Sequence, residues 1–543
     1  MTETAPPATA ARTPWYARGA DLSPRSTAAL GLAVFTAALA LFLLRFLVPV
    51  PVGSANQGDG ARATCTLGLM PTTHGLPRFK SYVFSELRPA PAHCGTRVVP
   101  YWTSQTLLFG LGRPFTRLFG LRGEINLFAV GLVACLVAAV CLAVLAAALR
   151  LAVAARVAVA AAVWLIVADA AYFDYFASPL SETAGLLGIL LVCTGIPLLG
   201  RGPVAGIPGL VAVAGGGMLA TGAKTQLLGL AVPVVAVLLL RTVRLPGFRT
   251  GPNAATGPSA ATGPGAATGP DDTAGPDGSP GRTASRPARL LLPRLLGAAA
   301  ALAVLVVSAH GYAAQRSDSA YLNMNGVDTV FAGIVDGKHD TAADLKALGL
   351  PQEWSRYAGH TYWTHGQAVS RDPKFRAYRG ELGIRNIARY YFHHPGRTVE
   401  ILQLRARQLL AMRPGYLGNY PPVAHRPPGA QEHRVTLASS AGLRLRKAGL
   451  LLLVPLWALA ARAGLRAVRR RRTHLERSLG AMALFLLATA VSQYLTAALA
   501  EAMENEKHMA FASFATLLLL PVLFASALAG RASPADRGPS RTR

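Results

Sequence analysis

Long apolar runs alternate with short polar segments along most of the chain. A helix needs about 20 apolar residues to cross a bilayer, and ten runs reach or approach this length. They lie at 27–50, 125–149, 155–173, 182–200, 204–221, 226–241, 290–309, 447–463, 478–498 and 510–530. The third, fifth, sixth and eighth of these runs are short or interrupted by Gly and Pro. The pattern predicts an all-α polytopic membrane protein with about ten transmembrane helices.

The composition agrees with a membrane protein and argues against a soluble enzyme. Of the 543 residues, 52% are hydrophobic and 15% are charged, and the formal net charge is +28. Arg residues concentrate in alternate loops, and short Arg-rich loops stay in the cytoplasm, so both ends are predicted to be cytoplasmic. The excess positive charge then reflects topology and attraction to anionic membrane lipid. Nucleic-acid binding is not expected, because no basic patch interleaved with aromatic residues occurs.

The loops divide the predicted spans into two membrane modules. Three copies of AATGP lie in a Gly- and Pro-rich stretch that cannot bury enough apolar surface to fold. The predicted organisation is a cytoplasmic tail 1–26, a module 27–241 of six spans with external loop 51–124, a disordered cytoplasmic linker 242–289, a module 290–530 of four spans with external segment 310–446, and a cytoplasmic tail 531–543. The external segment is predicted to form an extracytoplasmic helical cap, with two helices divided at His394-Pro395-Gly396. The predicted location is the plasma membrane.

The first external loop has two further features. Cys65 and Cys94 both fall in it, where an oxidising compartment permits a disulfide; two free thiols are the alternative. Its end, from Ser104 to Leu121, has apolar residues at helical spacing around Arg113 and Arg117. This spacing is typical of a helix in the plane of the membrane interface, although a poorly formed extra span would have the same pattern.

Three carboxylates stand where two apolar runs meet almost without a loop. Asp169, Asp174 and Glu182 lie within fourteen residues of each other. Carboxylates at the mouth of a bilayer are costly unless they contact water, a partner or a substrate. We therefore expect Asp174 or Glu182 to face a substrate and Asp169 to pair inside the bundle. The neighbouring residues from Tyr172 to Phe176 also fit an aromatic belt, which is the structural alternative for this stretch.

Two more charged groups are predicted on the same face of the membrane. Asp59 lies between two Gly residues shortly after the first span, in a string that an ordinary turn would also explain. Lys224 lies in a tight external turn, where an isolated cation suggests an anionic partner such as phosphate or carboxylate. A lysine whose side chain extends to the interface is the alternative.

The last external turn adds acidic and basic residues to this face. Glu504 and His508 are spaced i,i+4, so in a helix they could bind metal or move a proton; local helix pairing explains the spacing equally well. Elsewhere the pairs His360/His365 and His393/His394 match no zinc spacing. The sequence requires no cofactor, and a divalent metal is possible.

Taken in chain order, these motifs resemble a known class of enzymes. The matching strings are Asn56-x-Gly58-Asp59-x-x-Arg62, Tyr172 to Glu182, Lys224-x-Gln226, Asn325 to Ile334, Asp344 to Leu350, His394-Pro395, Tyr416 to Tyr420 and Lys507-His508. This set resembles bacterial polytopic glycosyltransferases of the GT-C class, and more closely the Wsf-type glycan biosynthesis hexosyltransferases. Asp174 stands where the family string has Asn.

The resemblance implies transfer of a hexose from a polyprenyl-phosphate sugar to an envelope glycan or lipid-linked acceptor on the extracytoplasmic face. It implies that Asp59 is the catalytic base. The implied donor phosphate ligands are Arg62, Lys224, Lys507 and His508, and the implied sugar and acceptor ligands are Tyr172, Asp174, Tyr175, Glu182, Gln226 and Glu504.

Two other functions remain open at this point. A lipid-linked glycan transporter or flippase would place charges near the membrane midplane in broken helices and show an internal repeat. A non-catalytic envelope-assembly protein would tolerate the loss of any single carboxylate.

Overall fold

The computed structural model describes residues 22–54, 58–71, 86–90, 94, 101–241, 286–316, 319–364, 368–427, 429–469, 473–503 and 505–532. Before the Gly/Pro-rich stretch, the α-helices are α1 (Pro24–Leu47), α2 (Gly58–Cys65), α3 (Gln105–Leu118), α4 (Leu127–Ala148), α5 (Val153–Val167), α6 (Ala170–Phe173), α7 (Glu182–Gly195), α8 (Pro203–Thr221) and α9 (Ala231–Leu240). A 3₁₀ turn, Thr225–Leu230, leads into α9.

After that stretch, the α-helices are α10 (Arg286–Arg316), α11 (Ser319–Val327), α12 (Thr341–Ala347), α13 (Phe375–Tyr378), α14 (Ile384–His393), α15 (Pro395–Ala411), α16 (Leu437–Leu445), α17 (Leu450–Arg469), α18 (His474–Ala500), α19 (Asn505–His508) and α20 (Ala510–Ala532). A π-helical segment, Asp328–Ile334, and four 3₁₀ turns, Gln352–Tyr357, Val369–Arg371, Arg379–Leu382 and Pro422–Ala424, complete the helical elements there. We call residues 319–445 the cap.

The helices confirm an all-α polytopic membrane protein. Within the described residues, seven helices are long and apolar enough to cross a membrane: α1, α4, α8, α10, α17, α18 and α20. The other three predicted runs, 155–173, 182–200 and 226–241, form shorter apolar helices. Gly residues at 188 and 216 allow α7 and α8 to approach closely, because a Cβ at Gly188 would overlap the backbone of α8.

Short strands pair within the first external loop, and one strand of this loop pairs with a strand of the cap. Strand β1 (Gly53–Ser54) pairs antiparallel with β5 (Leu417–Asn419), so the residues just after α1 are joined to the cap. Strands β2 (Leu69–Pro71), β3 (Glu86–Pro89) and β4 (Ile125–Asn126) form a three-stranded antiparallel sheet in that order. The cap has its own apolar core, in which Trp354 is completely buried.

Several local predictions can be compared with these elements. The disulfide between Cys65 and Cys94 is present, and it fixes the C-terminal end of α2. The predicted break at His394-Pro395-Gly396 is confirmed, since α14 ends at His393 and α15 begins at Pro395, a favoured first helical residue. The predicted interfacial segment is helical as α3 and packs against α4, where Gly112 lies against Val130.

The predicted tails and linker can be compared with the structure only at their ends, because most of their residues lie outside the described ranges. Helix α1 begins at Pro24, inside the predicted tail 1–26. The predicted linker 242–289 lies outside the described residues except at its end, where α10 begins at Arg286. The predicted tail 531–543 is described only at its first two residues, which end α20.

Candidate functional site

Helix α2 positions Asp59 against the stretch that carries the three carboxylates. Gly60 lies directly on Pro179, and a Cβ at residue 60 would overlap the proline ring. The neighbouring Asp59 is thereby held beside the N-terminal end of α7. One turn further along α2, the guanidinium of Arg62 lies over the ring of Tyr101, 5.1 Å from its centre, at cation–π distance.

Two lysines from distant parts of the chain meet at the Asp59 carboxylate. The ammonium group of Lys507, in α19, donates to Asp59 Oδ2 at 3.0 Å. The ammonium group of Lys224 lies 4.0 Å from the same oxygen. The Asp59 side chain is 19% exposed, whereas Lys507 is 3% exposed. Burial raises the pKa of Asp59, but the charges of Lys507 and Lys224 outweigh it and hold the pKa well below the ordinary value.

Glu182 supports Lys224 and does not reach the open part of the site. The Lys224 ammonium donates to Glu182 Oε1 at 2.8 Å, and the Glu182 side chain is 1% exposed at the start of α7. The predicted contact between Glu182 and a sugar is therefore replaced by a positioning role, because its carboxylate is already paired behind the lysine. Breaking such a buried pair would leave an uncompensated charge.

His508 is held in a similar way by two neighbours. Its Nδ1 lies 2.6 Å from Glu501 Oε2 and 3.3 Å from Gln226 Oε1. The Gln226 amide also donates to the His508 carbonyl at 2.6 Å. Burial raises the pKa of Glu501, but His508 and the nearby lysines lower it below its ordinary value. The buried Gln226 thus orients His508, and the predicted contact between Gln226 and a sugar is not supported.

These groups surround one pocket, which we call the Asp59 pocket. Its lining residues are Asp59, Arg62, Tyr101, Lys224, Thr225, Glu501 and His508. Its empty volume is about 440 Å³ including its opening. Both positive and negative side chains line it, so it can accept a ligand that has both an anionic group and hydroxyl groups.

A second charged cluster, which we call the arginine clamp, does not line the Asp59 pocket. It consists of Arg45, Asp174, Arg413, Glu432 and Arg434. Asp174 accepts from Arg45 at 3.1 Å and from Arg413 at 2.8 Å, and Glu432 pairs with Arg45 and Arg434. Both carboxylate side chains are completely buried. The clamp joins α1, the turn after α6 and the cap.

Three predicted ligands of the sugar and acceptor, Tyr172, Asp174 and Tyr175, do not line the Asp59 pocket. Asp174 is buried and paired with two guanidinium groups. The Tyr172 hydroxyl lies 2.9 Å from the Ser513 hydroxyl, inside the bundle. Tyr175 is completely buried and does not line the Asp59 pocket. These side chains are close together in sequence, but the short helix α6 and the turn after it bury them in the bundle.

Two remaining acidic residues complete the comparison. Asp169 accepts hydrogen bonds from the backbone N–H groups of Ala171, Ala438 and Ser439, which agrees with the expected pairing inside the bundle. Glu504 lies outside the described residues. In the described part of the chain, no three His, Cys, Asp or Glu side chains are grouped so as to hold a metal ion.

Sequence reasoning missed several of these residues. Tyr101 and Thr225 line the Asp59 pocket without any motif of their own. Arg45 could have been found, because it is a charged residue inside the apolar run of the first span, where a buried partner is expected. Glu432 had no comparable signal, since it lies in a polar segment.

Comparison with known proteins gives a family. The family model described as the YfdI N-terminal transmembrane domain matches residues 17–528. The chain therefore belongs to this family of transmembrane domains. Neither curated proteins nor solved structures give a match.

Proposed function

We propose that this member of the YfdI N-terminal transmembrane domain family is a GT-C-type glycosyltransferase. It moves a hexose from a polyprenyl-phosphate sugar to an envelope glycan or lipid-linked acceptor. The observation that carries the proposal is the Asp59 carboxylate, partly open to a pocket and placed within 4.0 Å of two ammonium groups at one end of an apolar helix bundle. A carboxylate beside cations is what transfer from a lipid phosphate requires.

The bond changes assign each group a task. An acceptor hydroxyl attacks the anomeric carbon, the bond from that carbon to the phosphate oxygen breaks, and the hydroxyl proton passes to Asp59. The phosphodiester of the donor has one negative charge, and the departing polyprenyl phosphate gains a second. Lys224, Lys507 and Arg62 stabilise this growing charge. His508 supplies a further donor at the pocket wall.

The ion pairs explain how the base can be activated by its substrate. Without a ligand, Lys507 and Lys224 keep the pKa of Asp59 low, which makes it a weak proton acceptor. A bound phosphodiester adds a negative charge beside the same lysines, and a nearby negative charge raises the pKa of a carboxyl group. Donor binding therefore increases the basicity of Asp59 before the acceptor proton must be removed.

The surroundings of the pocket suit a lipid-linked donor. Helix α3 begins beside the pocket, where Gln105 accepts from the backbone N–H of Ala184. Its Leu107 and Leu111, one turn apart, are 62% and 53% exposed, respectively. A polyprenyl chain can lie along this apolar face while its phosphate reaches the lysines.

The extracytoplasmic orientation of the pocket has two supports. The Arg-rich alternate loops place the opposite ends of the spans in the cytoplasm. The disulfide between Cys65 and Cys94 lies in the same loop as Asp59, and disulfides persist in oxidising compartments. Cysteines introduced into residues 51–124 and 242–289 test this in whole cells. Labelling of the linker by an impermeant maleimide would reverse the proposed orientation.

The activity test uses purified protein in lipid nanodiscs. A panel of radiolabelled polyprenyl-phosphate hexoses is incubated with the protein and a membrane extract of the source cells, which supplies the acceptor. We expect one donor to label a glycan product, and the Asp59→Asn variant to lose that label. Absence of labelled product with every donor would contradict the proposal. Movement of the donor across proteoliposome membranes without sugar transfer would favour a flippase.

A further inference from the structure

A second cavity lies close to the Asp59 pocket and has no role in the steps above. We call it the Tyr416 cavity; it is lined by Ala411, Arg413, Pro414, Gly415, Tyr416, Gln431, His433, Thr436, Ser439, Ser440, Leu443 and Glu506. Its empty volume is about 1090 Å³ including its opening, more than twice the 440 Å³ of the Asp59 pocket. We propose that this cavity binds the non-reducing end of a neutral oligosaccharide, which, if the proposed function holds, is the acceptor.

The position of the cavity relative to the base supports this assignment. The short helix α19, Asn505–His508, separates the two spaces. Glu506 lines the Tyr416 cavity, Lys507 binds Asp59, and His508 lines the Asp59 pocket. Consecutive residues therefore contact both spaces, and a chain of sugar units seated in the larger one ends beside the smaller one.

The lining chemistry favours a hydroxyl-rich ligand. Thr436, Ser439, Ser440 and Leu443 follow at i, i+3, i+4 and i+7, so one face of α16 presents three hydroxyl groups to the cavity. Tyr416 adds an aromatic ring, on which sugar faces can pack. Hydroxyl groups and an aromatic surface together suit a polyol with one apolar face.

The charges in the cavity disfavour an anionic ligand. The guanidinium of Arg413 is already paired with the Asp174 carboxylate at 2.8 Å. Glu506 places a carboxylate in the wall, which would repel a phosphate. The Arg413 side chain is only 8% exposed, yet within the described structure its Nε–H has no hydrogen-bond partner. A buried donor without a partner is costly, and a ligand oxygen would satisfy it.

A binding experiment tests the site without requiring activity. Mannotriose, maltotriose and cellotriose are added singly to the protein in nanodiscs, and contact is detected by saturation-transfer NMR. We expect at least one trisaccharide to bind the wild-type protein. Ser440→Trp fills the cavity and should abolish the signal. Ala441→Trp, an equal change at an exposed position of the same helix that does not line the cavity, should preserve it. No binding to the wild type, or equal binding to both variants, would overturn the assignment.

A transfer experiment separates this inference from the proposed function. With a labelled donor and the membrane extract, Ser440→Trp should reduce glycan labelling by about tenfold or more, because the acceptor is no longer positioned for attack. Its affinity for the donor, measured directly, should be unchanged, and Ala441→Trp should behave as the wild type. Trisaccharide binding without any transfer would retain the sugar site and reject the enzyme. Normal transfer by Ser440→Trp would retain the enzyme and reject the site.

Discussion

The Asp59 pocket and the arginine clamp both pair carboxylates with cations, yet their carboxylates differ in access. In the clamp, Asp174 and Glu432 are completely buried and each is paired with two guanidinium groups. In the pocket, Asp59 is 19% exposed and is paired with ammonium groups beside an open space. Clusters of buried charge therefore cannot be assigned a function from composition alone, because only an accessible carboxylate can exchange a proton with a ligand.

The choice of cation strengthens the contrast. Arg has a rigid planar fork and keeps its proton, so it suits a fixed connection between segments. Lys is a compact charge on a flexible stem, and it can move from a carboxylate to an incoming phosphate. The clamp contains three Arg residues, whereas the Asp59 carboxylate is paired with two Lys residues. We infer that the clamp maintains the structure and that the pocket exchanges partners.

The same Asp→Asn change in the two regions should have opposite consequences. Asp174→Asn leaves Arg45 and Arg413 without full compensation in a buried site, so the free energy of unfolding should fall by about 3–5 kcal/mol. SDS titration of the protein in micelles measures this loss. An Asp174→Asn variant as stable as the wild type would show that the clamp does not stabilise the fold.

Asp59→Asn should affect turnover instead of stability. The amide keeps the size of the side chain but cannot accept the acceptor proton, so transfer should fall by about a hundredfold or more. The same SDS titration should show a much smaller change than for Asp174→Asn. Near-normal transfer by Asp59→Asn would remove the base role from this residue.

The Lys224→Ala variant tests whether a lysine of the Asp59 pocket binds the donor phosphate. Loss of a charge-assisted contact to the phosphate should weaken donor binding by about tenfold. Equilibrium binding of labelled polyprenyl-phosphate hexose measures it, with the exposed cap variant Lys346→Ala as the control. An unchanged dissociation constant in Lys224→Ala would mean that this lysine only compensates Glu182 and Asp59.

The pH dependence gives the smallest expected effect. Because two lysines hold the pKa of Asp59 below its ordinary value, kcat/KM of the wild type should show no acidic decline from Asp59 above about pH 4. Removing one cation in Lys507→Met raises that pKa, so the decline should move to higher pH by about one unit. The exposed Lys374→Met variant serves as the control. An acidic decline of the wild type above about pH 4 would contradict the assignment of Asp59 as the titrating base.

The fold was largely predictable because membrane spans are encoded in local composition. Each apolar run is continuous in sequence, and the break at Pro395 follows from the chemistry of a single residue. The three short apolar helices were harder to predict, since a helix packed inside the bundle, as α7 is, need not match the thickness of a bilayer. Their true ends depend on packing, which the sequence pattern does not contain.

The candidate site was predictable only in part. Asp59, Lys224 and Lys507 could be grouped because each follows or precedes a span on the same predicted side, and the structure brings both ammonium groups within 4.0 Å of Asp59 Oδ2. Asp174 was grouped with them for the same reason but faces the other way. The direction of a side chain at a helix end depends on how the helix is rotated about its own axis. Knowing on which side of the membrane a residue lies does not specify that rotation.

The Asp59 and Lys507 side chains that meet in the pocket are 448 residues apart in sequence. During synthesis Asp59 leaves the ribosome 448 residues before Lys507, its hydrogen-bonded partner. By contrast, Lys224 and Glu182 are separated by only 42 residues and can pair while translation continues. Contacts between such distant residues form late in folding, because the entropy of closing a long loop must be overcome first. The Asp59 pocket therefore cannot be complete until helices from both sides of the Gly/Pro-rich stretch have been made and packed together.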